Sequence, residues 1–203
     1  MTTQIMKQGI RQSIIAARQK MTVAERAEFS REITGRIVRL ESYQRAATVL
    51  AYMSFGAEFE TSAWVRQSLL DGKRVLLPRV NGSTKQLDLF QVADLQQDVA
   101  PGKWDIPEPL PERCDKVDDR ERIDFILLPG VAFARDGSRL GYGGGFYDKL
   151  LARISPHASS PGIQPILAAA AFSMQLLKEI PQEATDRKVK WLLTENEVID
   201  CSK

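Results

Sequence analysis

Between Arg139 and Asp148 the chain reads RLGYGGGFYD, and the residue types in this run belong to the chemistry of bound anions. Gly141, Gly143, Gly144 and Gly145 allow positive φ and close backbone approach to a ligand. The run follows the apolar stretch Ile123–Leu128 and the segment PGVAFARDGS, and a helix is predicted to start at Phe146. The first N–H groups of a helix lack partners within it and can point at a phosphate. Arg139 stands at the loop's entrance, where its planar fork of donors suits phosphate oxygens. Asp148, in the first helical turn, favours the helix dipole but repels a phosphate unless a divalent cation lies between them. Together these residues fit a Mg²⁺–nucleotide. Taken singly, the loop reads as a structural bend and Asp148 as a dipole-stabilising acid. The common nucleotide fingerprints are absent, since Phe146 stands where GxGxxG from Gly141 needs glycine and no GxxxxGK[ST] occurs.

The remaining inventory narrows the reaction class. His157 is the one histidine, set among prolines and serines, so a Ser–His–Asp triad or a histidine-based zinc site is disfavoured. Cys114 and Cys201 lie far apart without CxxC spacing, which indicates neither a metal site nor a disulfide framework. A metal, if used, is a hard cation held by carboxylates. The net charge of +2 conceals an asymmetry, because residues 1–45 hold nine Lys/Arg against four acids. Lys7, Arg11 and Arg18 fall within an arc of roughly 40° on a helix. Ile10 and Ile14 border that arc, so the stripe is either a ligand-facing edge of a buried face or an ordinary solvated face. The interleaved acids argue against a dense nucleic-acid footprint.

For the elements that carry these residues, 203 residues suffice for one sizeable core, and a single domain over 1–203 is expected. No apolar run approaches a membrane span and the N-terminus lacks a secretory h-region, which places the chain in the cytoplasm. Thr2 or Thr3 is the predicted cap of a helix to about Lys20. Thr22 and Glu25 form a capping box for a second helix ending near Glu41. Ala47–Met53 is a predicted buried strand, followed by a loop with Glu58, a helix capped by Thr61 and a strand at Arg74–Pro78. That strand–helix–strand unit signals a parallel sheet, in which ligands bind beyond the carboxyl ends of strands, where Glu58 falls. Asn81-Gly82 is a turn into an edge strand or hairpin arm at Gln86–Val92. Asp98–Arg122, with four prolines, reads as a long ordered loop. Its Trp104 either fills a core gap or walls a pocket for a flat heteroaromatic ligand. Ile166–Phe172 is a further strand, Ser173–Ile180 a short helix, and Val189–Thr194 the last strand. The fold class expected is α/β: a three-layer α-β-α arrangement with a mostly parallel central sheet flanked by helices and a two-helix N-terminal segment.

RLGYGGGFYD, the preceding LLPGVAFARDG, Lys7-x-x-x-Arg11, Glu58-x-x-Thr61, Trp104-x-Ile106-Pro107-x-Pro109 and Asp186 occur in this order over nearly the whole chain. In these motifs the sequence resembles the 5-formyltetrahydrofolate cyclo-ligase family, also called 5,10-methenyltetrahydrofolate synthetases. The resemblance implies ATP- and Mg²⁺-dependent closure of 5-formyltetrahydrofolate through a phosphorylated formyl group, with ADP and phosphate released. Carried over, Lys7, Arg11 and the stretch Arg139, Leu140, Gly141, Tyr142, Gly143, Gly144, Gly145, Phe146 and Tyr147 bind ATP, with Arg139 and Tyr147 in catalytic roles. Met53, Glu58 and the stretch Tyr142–Phe146 contact the folate, and Asp148 and Asp186 serve Mg²⁺; Trp104, read from its own chemistry as a pocket wall, is expected to help enclose the folate's ring. The implied partners are small molecules, a reduced folate and ATP, with no nucleic acid, membrane or obligate protein partner. Some family members carry basic residues in the loop where this chain has Tyr142 and Gly144, so phosphate neutralisation rests more on Lys7, Arg11, Arg139 and the metal. The competing readings are a non-catalytic phosphate-ligand or folate-binding module on the same scaffold, and a nucleic-acid-binding protein that uses the basic helices.

Overall fold

The structure is a computed structural model that describes residues 3–102, 105–154, 164–183 and 186–203. Trp104, His157 and the capping candidate Thr2 lie outside these residues. The chain opens with α1 (Thr3–Gln19) and α2 (Val23–Arg39). The capping box of α2 is formed in full: Glu25 N donates to Thr22 Oγ1 at 3.1 Å and Thr22 N donates to Glu25 Oε2 at 2.7 Å. Replacing Thr22 with alanine is expected to destabilise the protein by about 1 kcal/mol, read as a fall in thermal midpoint of roughly 2–4 °C.

A short helix α3 (Glu41–Gln44) leads into β1 (Thr48–Leu50), α4 (Thr61–Leu70), β2 (Arg74–Asn81) and β3 (Gln86–Val92). After them come β4 (Val99–Pro101), β5 (Pro107–Pro109), β6 (Lys116–Val117), β7 (Phe125–Leu128), β8 (Ala132–Ala134), β9 (Arg139–Leu140) and α5 (Phe146–Ile154). The chain ends with β10 (Ile166–Ala170), a 3₁₀ turn at Ser173–Gln175, β11 (Leu176–Leu177), β12 (Trp191–Leu193) and β13 (Val198–Asp200).

The main sheet has the order β13-β12-β10-β7-β1-β2-β3-β6. Its five central strands run parallel, and β13, β3 and β6 are antiparallel to their neighbours. Strict alternation sends Val49, Val75, Leu77, Phe125, Leu127, Ala168 and Ala170 to one face and Leu50, Leu76, Ile126, Leu128 and Ala169 to the other. Helices α2, α3 and α4 cover the first face through Ile33, Ile37, Tyr43 and Trp64, and α5 covers the second through Leu150 and Leu151. Burial on both faces explains why the parallel strands read as unbroken apolar runs. The three-layer α/β arrangement expected from sequence is thus the observed one.

Several local readings change. Asp98–Arg122 is not one long loop. Short strands β4 and β5 pair with each other, and β6 pairs with β3 as the true sheet edge. Val189–Thr194 supplies β12 but not the last strand, because Glu195 to Glu197 turn the chain back into β13. Ser173–Ile180 forms only a 3₁₀ turn, since Leu176 and Leu177 are drawn into pairing with β8. Thr61 is not a cap. Glu60 holds that position, while Thr61 and Ser54 exchange backbone–hydroxyl bonds at 2.9 and 3.2 Å that close the β1–α4 loop.

Candidate functional site

The strand order reverses between β1 and β7. From β1 the chain crosses by α4 to β2 on one side, and from β7 it crosses by α5 to β10 on the other, over the opposite face of the sheet. Loops leaving two such neighbouring strands diverge to opposite faces and leave a crevice beyond their carboxyl ends. The loop after β1 carries Met53 and Glu58. The segment after β7 folds into the β8–β9 hairpin and then becomes the glycine loop. The run that sequence reading took as a single anion loop therefore has a hairpin at its base.

That hairpin docks α1. Ile14 packs with Val131, Ala132, Ala134, Leu140 and Ile180 in a third apolar cluster separate from the two sheet faces. The docking turns the basic stripe inward, so the solvated-face reading does not hold: Lys7 is 8% exposed and Arg18 only 4%. Lys7 Nζ reaches the last loop, donating to Glu183 Oε1 at 3.0 Å and Asp186 Oδ2 at 3.3 Å. Arg11 Nε donates to the Gly141 carbonyl at 2.8 Å. Gly143 has φ +99° with the Arg11 guanidinium 3.4 Å from where a Cβ would stand, so a side chain there meets both backbone strain and α1.

Within the loop's base, Arg139 is 8% exposed. Its Nη2 donates to Asp148 Oδ1 at 2.7 Å and its Nη1 to the Pro129 carbonyl at 3.1 Å, while buried Nε has no partner among the described residues. Asp148 is thus held against an arginine and its second oxygen has no hydrogen bond to a described residue. Leu140 is buried in the third cluster, and the Phe146 ring lies where a side chain on Gly144 would stand. Tyr147 is half-buried against the cores of both faces. Burial, with the Glu58 charge as a lesser cause, raises its hydroxyl well above the usual phenol range.

Glu58 is 6% exposed, and burial pushes its carboxyl above the usual range, opposed by hydrogen bonds. Those bonds come from the Tyr142 hydroxyl to Oε1 and from Phe55 N to Oε2 at 3.1 Å. Tyr142 links the two loops, and its ring lies 5.3 Å from that of Phe55 with both partly open to solvent. Met53 is half-buried against the first-face core. Contacts tie Arg11 to the glycine loop, Arg139 to Asp148, Glu58 to Tyr142 and Lys7 to Asp186, with Lys7 and Arg11 both carried by α1; Trp104 lies outside the described residues.

Sequence reading missed three participants. Arg18 donates through Nη2 to the Tyr142 hydroxyl at 2.7 Å. Its place in the 40° arc with Lys7 and Arg11 was the available signal. Glu183, three residues before Asp186, shares Lys7 with it, and Phe55 had no sequence signal. A cavity of about 720 Å³ lies elsewhere, beside β2 and β3, where Asp88 is already bonded to Lys116 and Asn81. It contains none of the anticipated site residues.

The donor set suits a hard cation only in part by itself. Among the described residues no three His, Cys, Asp or Glu side chains come together. Asp148 and Asp186 each hold one oxygen against a cation, Arg139 or Lys7, and keep the other free of described partners. One or two carboxylates completed by phosphate oxygens and water are what Mg²⁺ takes in nucleotide sites, so each of the two residues fits such an ion.

A family model described as the 5-formyltetrahydrofolate cyclo-ligase family matches residues 3–195. The chain is 28% identical over 198 residues to the 5-formyltetrahydrofolate cyclo-ligase of Mus musculus, covering 94% of each. It is also 28% identical to that of Escherichia coli K12, covering 89% of this chain and 96% of the other. The NMR structure of Aquifex aeolicus 5,10-methenyltetrahydrofolate synthetase superposes with a TM-score of 0.81 at 27% identity, over 97% of this chain and 93% of that one.

Proposed function

Since the chain belongs to the 5-formyltetrahydrofolate cyclo-ligase family, we propose that it closes 5-formyltetrahydrofolate to 5,10-methenyltetrahydrofolate with ATP, releasing ADP and phosphate. The observation that carries the reading is the crevice at the reversal of strand order, where a glycine loop held by Arg11, with Arg139 at its foot, meets a buried carboxylate, Glu58, through Tyr142. One side has the chemistry of phosphates and the other the chemistry of an amine-rich heterocycle.

The formyl oxygen of the folate attacks the γ-phosphorus and ADP departs. The folate's N10 then adds to the activated carbon and loses its proton to solvent, and phosphate leaves with the former formyl oxygen. Phosphoryl transfer of this kind depends on positioning and charge neutralisation, which arginine, lysine and backbone N–H groups supply without histidine or cysteine. Lys7, Arg11 and the stretch Arg139–Tyr147 hold the phosphates. Met53, Glu58, Trp104 and the stretch Tyr142–Phe146 hold the folate, with Glu58 accepting from the pterin's N–H donors. Asp148 and Asp186 hold Mg²⁺, which neutralises phosphate charge when bound. Arg139 is the transition-state charge stabiliser, and the Tyr147 hydroxyl, protonated throughout the working pH range, acts as a donor and never as a base.

Among the described residues no helix is long and apolar enough to cross a membrane. Two water-soluble substrates suit the cytoplasm, the compartment we propose. The test is to mix the protein with 5-formyltetrahydrofolate, ATP and Mg²⁺ and follow the near-ultraviolet absorbance of the methenyl product. Absence of product from folded protein overturns the cyclo-ligase reading, and thermal stabilisation by folate or nucleotide without turnover selects a non-catalytic binding module.

A further inference from the structure

Glu58 is a carboxyl group that the fold has taken out of water. The groups facing it come from four elements: Tyr52 and the Phe55 amide from its own loop after β1, Tyr142 from the glycine loop, Tyr147 from α5 and Arg18 from α1. Three of these are phenols, which donate hydrogen bonds but carry no charge in the working pH range. Arg18, joined to Glu58 through the Tyr142 hydroxyl, is the cation whose charge favours ionised Glu58. A buried carboxylate without a compensating charge takes up a proton instead of staying ionised.

Arg18 itself calls for an explanation. It lies in the last turn of α1, where a surface arginine could stay solvated, yet it is 4% exposed. Its Nη2 donates to the Tyr142 hydroxyl at 2.7 Å, and its guanidinium carbon lies over that ring, 5.9 Å from its centre. The hydroxyl in turn donates a hydrogen bond to Glu58 Oε1. Arg18 Nε is buried with no partner among the described residues. A buried guanidinium with a spare donor, joined to a buried carboxylate through one phenol, is costly as scaffolding, since apolar packing in its place is often as stable.

We propose that Arg18 is a positioning residue of the folate side: through the Tyr142 hydroxyl it fixes the Glu58 carboxylate, as an anion, in the orientation that accepts the N–H donors of the reduced folate. The chain Arg18–Tyr142–Glu58 runs from α1 through the glycine loop to the β1–α4 loop. Docking of α1 thereby serves both substrates, with Lys7 and Arg11 on the phosphate side and Arg18 on the folate side. The inference rests on the reading of Glu58 as the folate's acceptor, and its sign follows from charge. Arg18 favours ionised Glu58, so removing it moves Glu58 titration to higher pH and leaves less anion at neutral pH.

The experiment compares Arg18→Met, which keeps the stem, with Arg18→Lys, which keeps the charge, and with Tyr142→Phe, which breaks the link. The side-chain carboxyl of Glu58 is followed through a pH titration by carbon NMR, assigned by its absence in Glu58→Gln, and steady-state constants are measured in parallel. In Arg18→Met the Glu58 midpoint is expected to rise by about one pH unit. The KM for 5-formyltetrahydrofolate is expected to rise about 10-fold or more, the scale of a lost charge-assisted hydrogen bond, with the KM for ATP within about 2-fold of the parent. Arg18→Lys is expected to recover most of the midpoint shift, and Tyr142→Phe to reproduce the KM effect without adding to it in the double variant. An unmoved Glu58 midpoint in folded Arg18→Met overturns the inference, as does an equal rise in both KM values. A midpoint that moves in a protein that binds no reduced folate keeps the Arg18–Glu58 link and removes the folate reading.

Discussion

Replacing Arg139 with alanine is expected to lower turnover at least 10²-fold, the scale on which a preorganised donor to a transition-state charge acts. The expectation follows from how this residue is held. Strand β9 places it at the foot of the glycine loop, where the Pro129 carbonyl and Asp148 fix two arms of the guanidinium and buried Nε is left without a described partner. A cation so immobilised spends little reorganisation when charge develops on a transferring phosphoryl group. Its removal has a second consequence, because Asp148 loses its pair and adds an uncompensated carboxylate beside the phosphates. Arg139→Lys separates the two effects: charge returns, the planar fork does not, and turnover is expected to stay well below the parent. Single-turnover rates of folded protein with saturating Mg²⁺–ATP make the check. A folded Arg139→Ala enzyme within a few-fold of the parent removes Arg139 from the chemistry.

How much of this was legible in the sequence depends on the range of the forces involved. The parallel strands announced themselves because burial on both faces demands unbroken apolar runs such as Phe125–Leu128 and Ala168–Ala170. The capping box of α2 was equally readable, since Thr22 and Glu25 satisfy each other within four residues. The β8–β9 hairpin was not anticipated. Its strands are two and three residues long and exist because β11 and α1 pack against them, a decision taken by residues over 100 positions away from Ile14. The same holds for β6, which is too short to declare itself and is recruited by the open edge of β3.

The site divides along the same line. Arg139, the glycines and Asp148 are neighbours in sequence, and their joint chemistry could be read directly. Lys7 and Arg11 were visible as a stripe, but whether that stripe was solvated or buried turned on what α1 docks against. Arg18 belonged to the same stripe, but nothing in the sequence near it sets it beside Tyr142, which lies 124 positions away. Glu183 is the complementary case, for its role beside Lys7 exists only once the final loop returns to the first helix.

The turn that delivers Arg139 carries the other large expectation. Gly137 has φ +85°, and a Cβ built on it would stand 2.3 Å from the carbonyl oxygen of Val189, a backbone atom that cannot swing aside. That carbonyl is fixed because the adjoining amide, Val189 N, donates to Gly137 O at 2.9 Å, while Gly137 N closes the turn onto Ala134 O at 3.0 Å. Gly137→Ala therefore combines left-handed strain, about 1–2 kcal/mol, with a backbone clash of about 1–3 kcal/mol. The expected loss is about 3 kcal/mol, or roughly 6–12 °C in thermal midpoint for a chain of this length. Gly72 provides the comparison, since its φ is +72° but nothing lies within 4 Å of its Cβ position. Gly72→Ala is expected to cost only the strain, about 1–2 kcal/mol. Relief of the clash at Gly137 requires the β8–β9 turn to pull away from Val189, which shifts Arg139 at the start of β9 and lowers turnover even where the variant remains folded. Equal midpoint losses in the two variants would show that the Val189 contact adds nothing, and parent-like turnover in Gly137→Ala would show that Arg139 keeps its place without the closed turn.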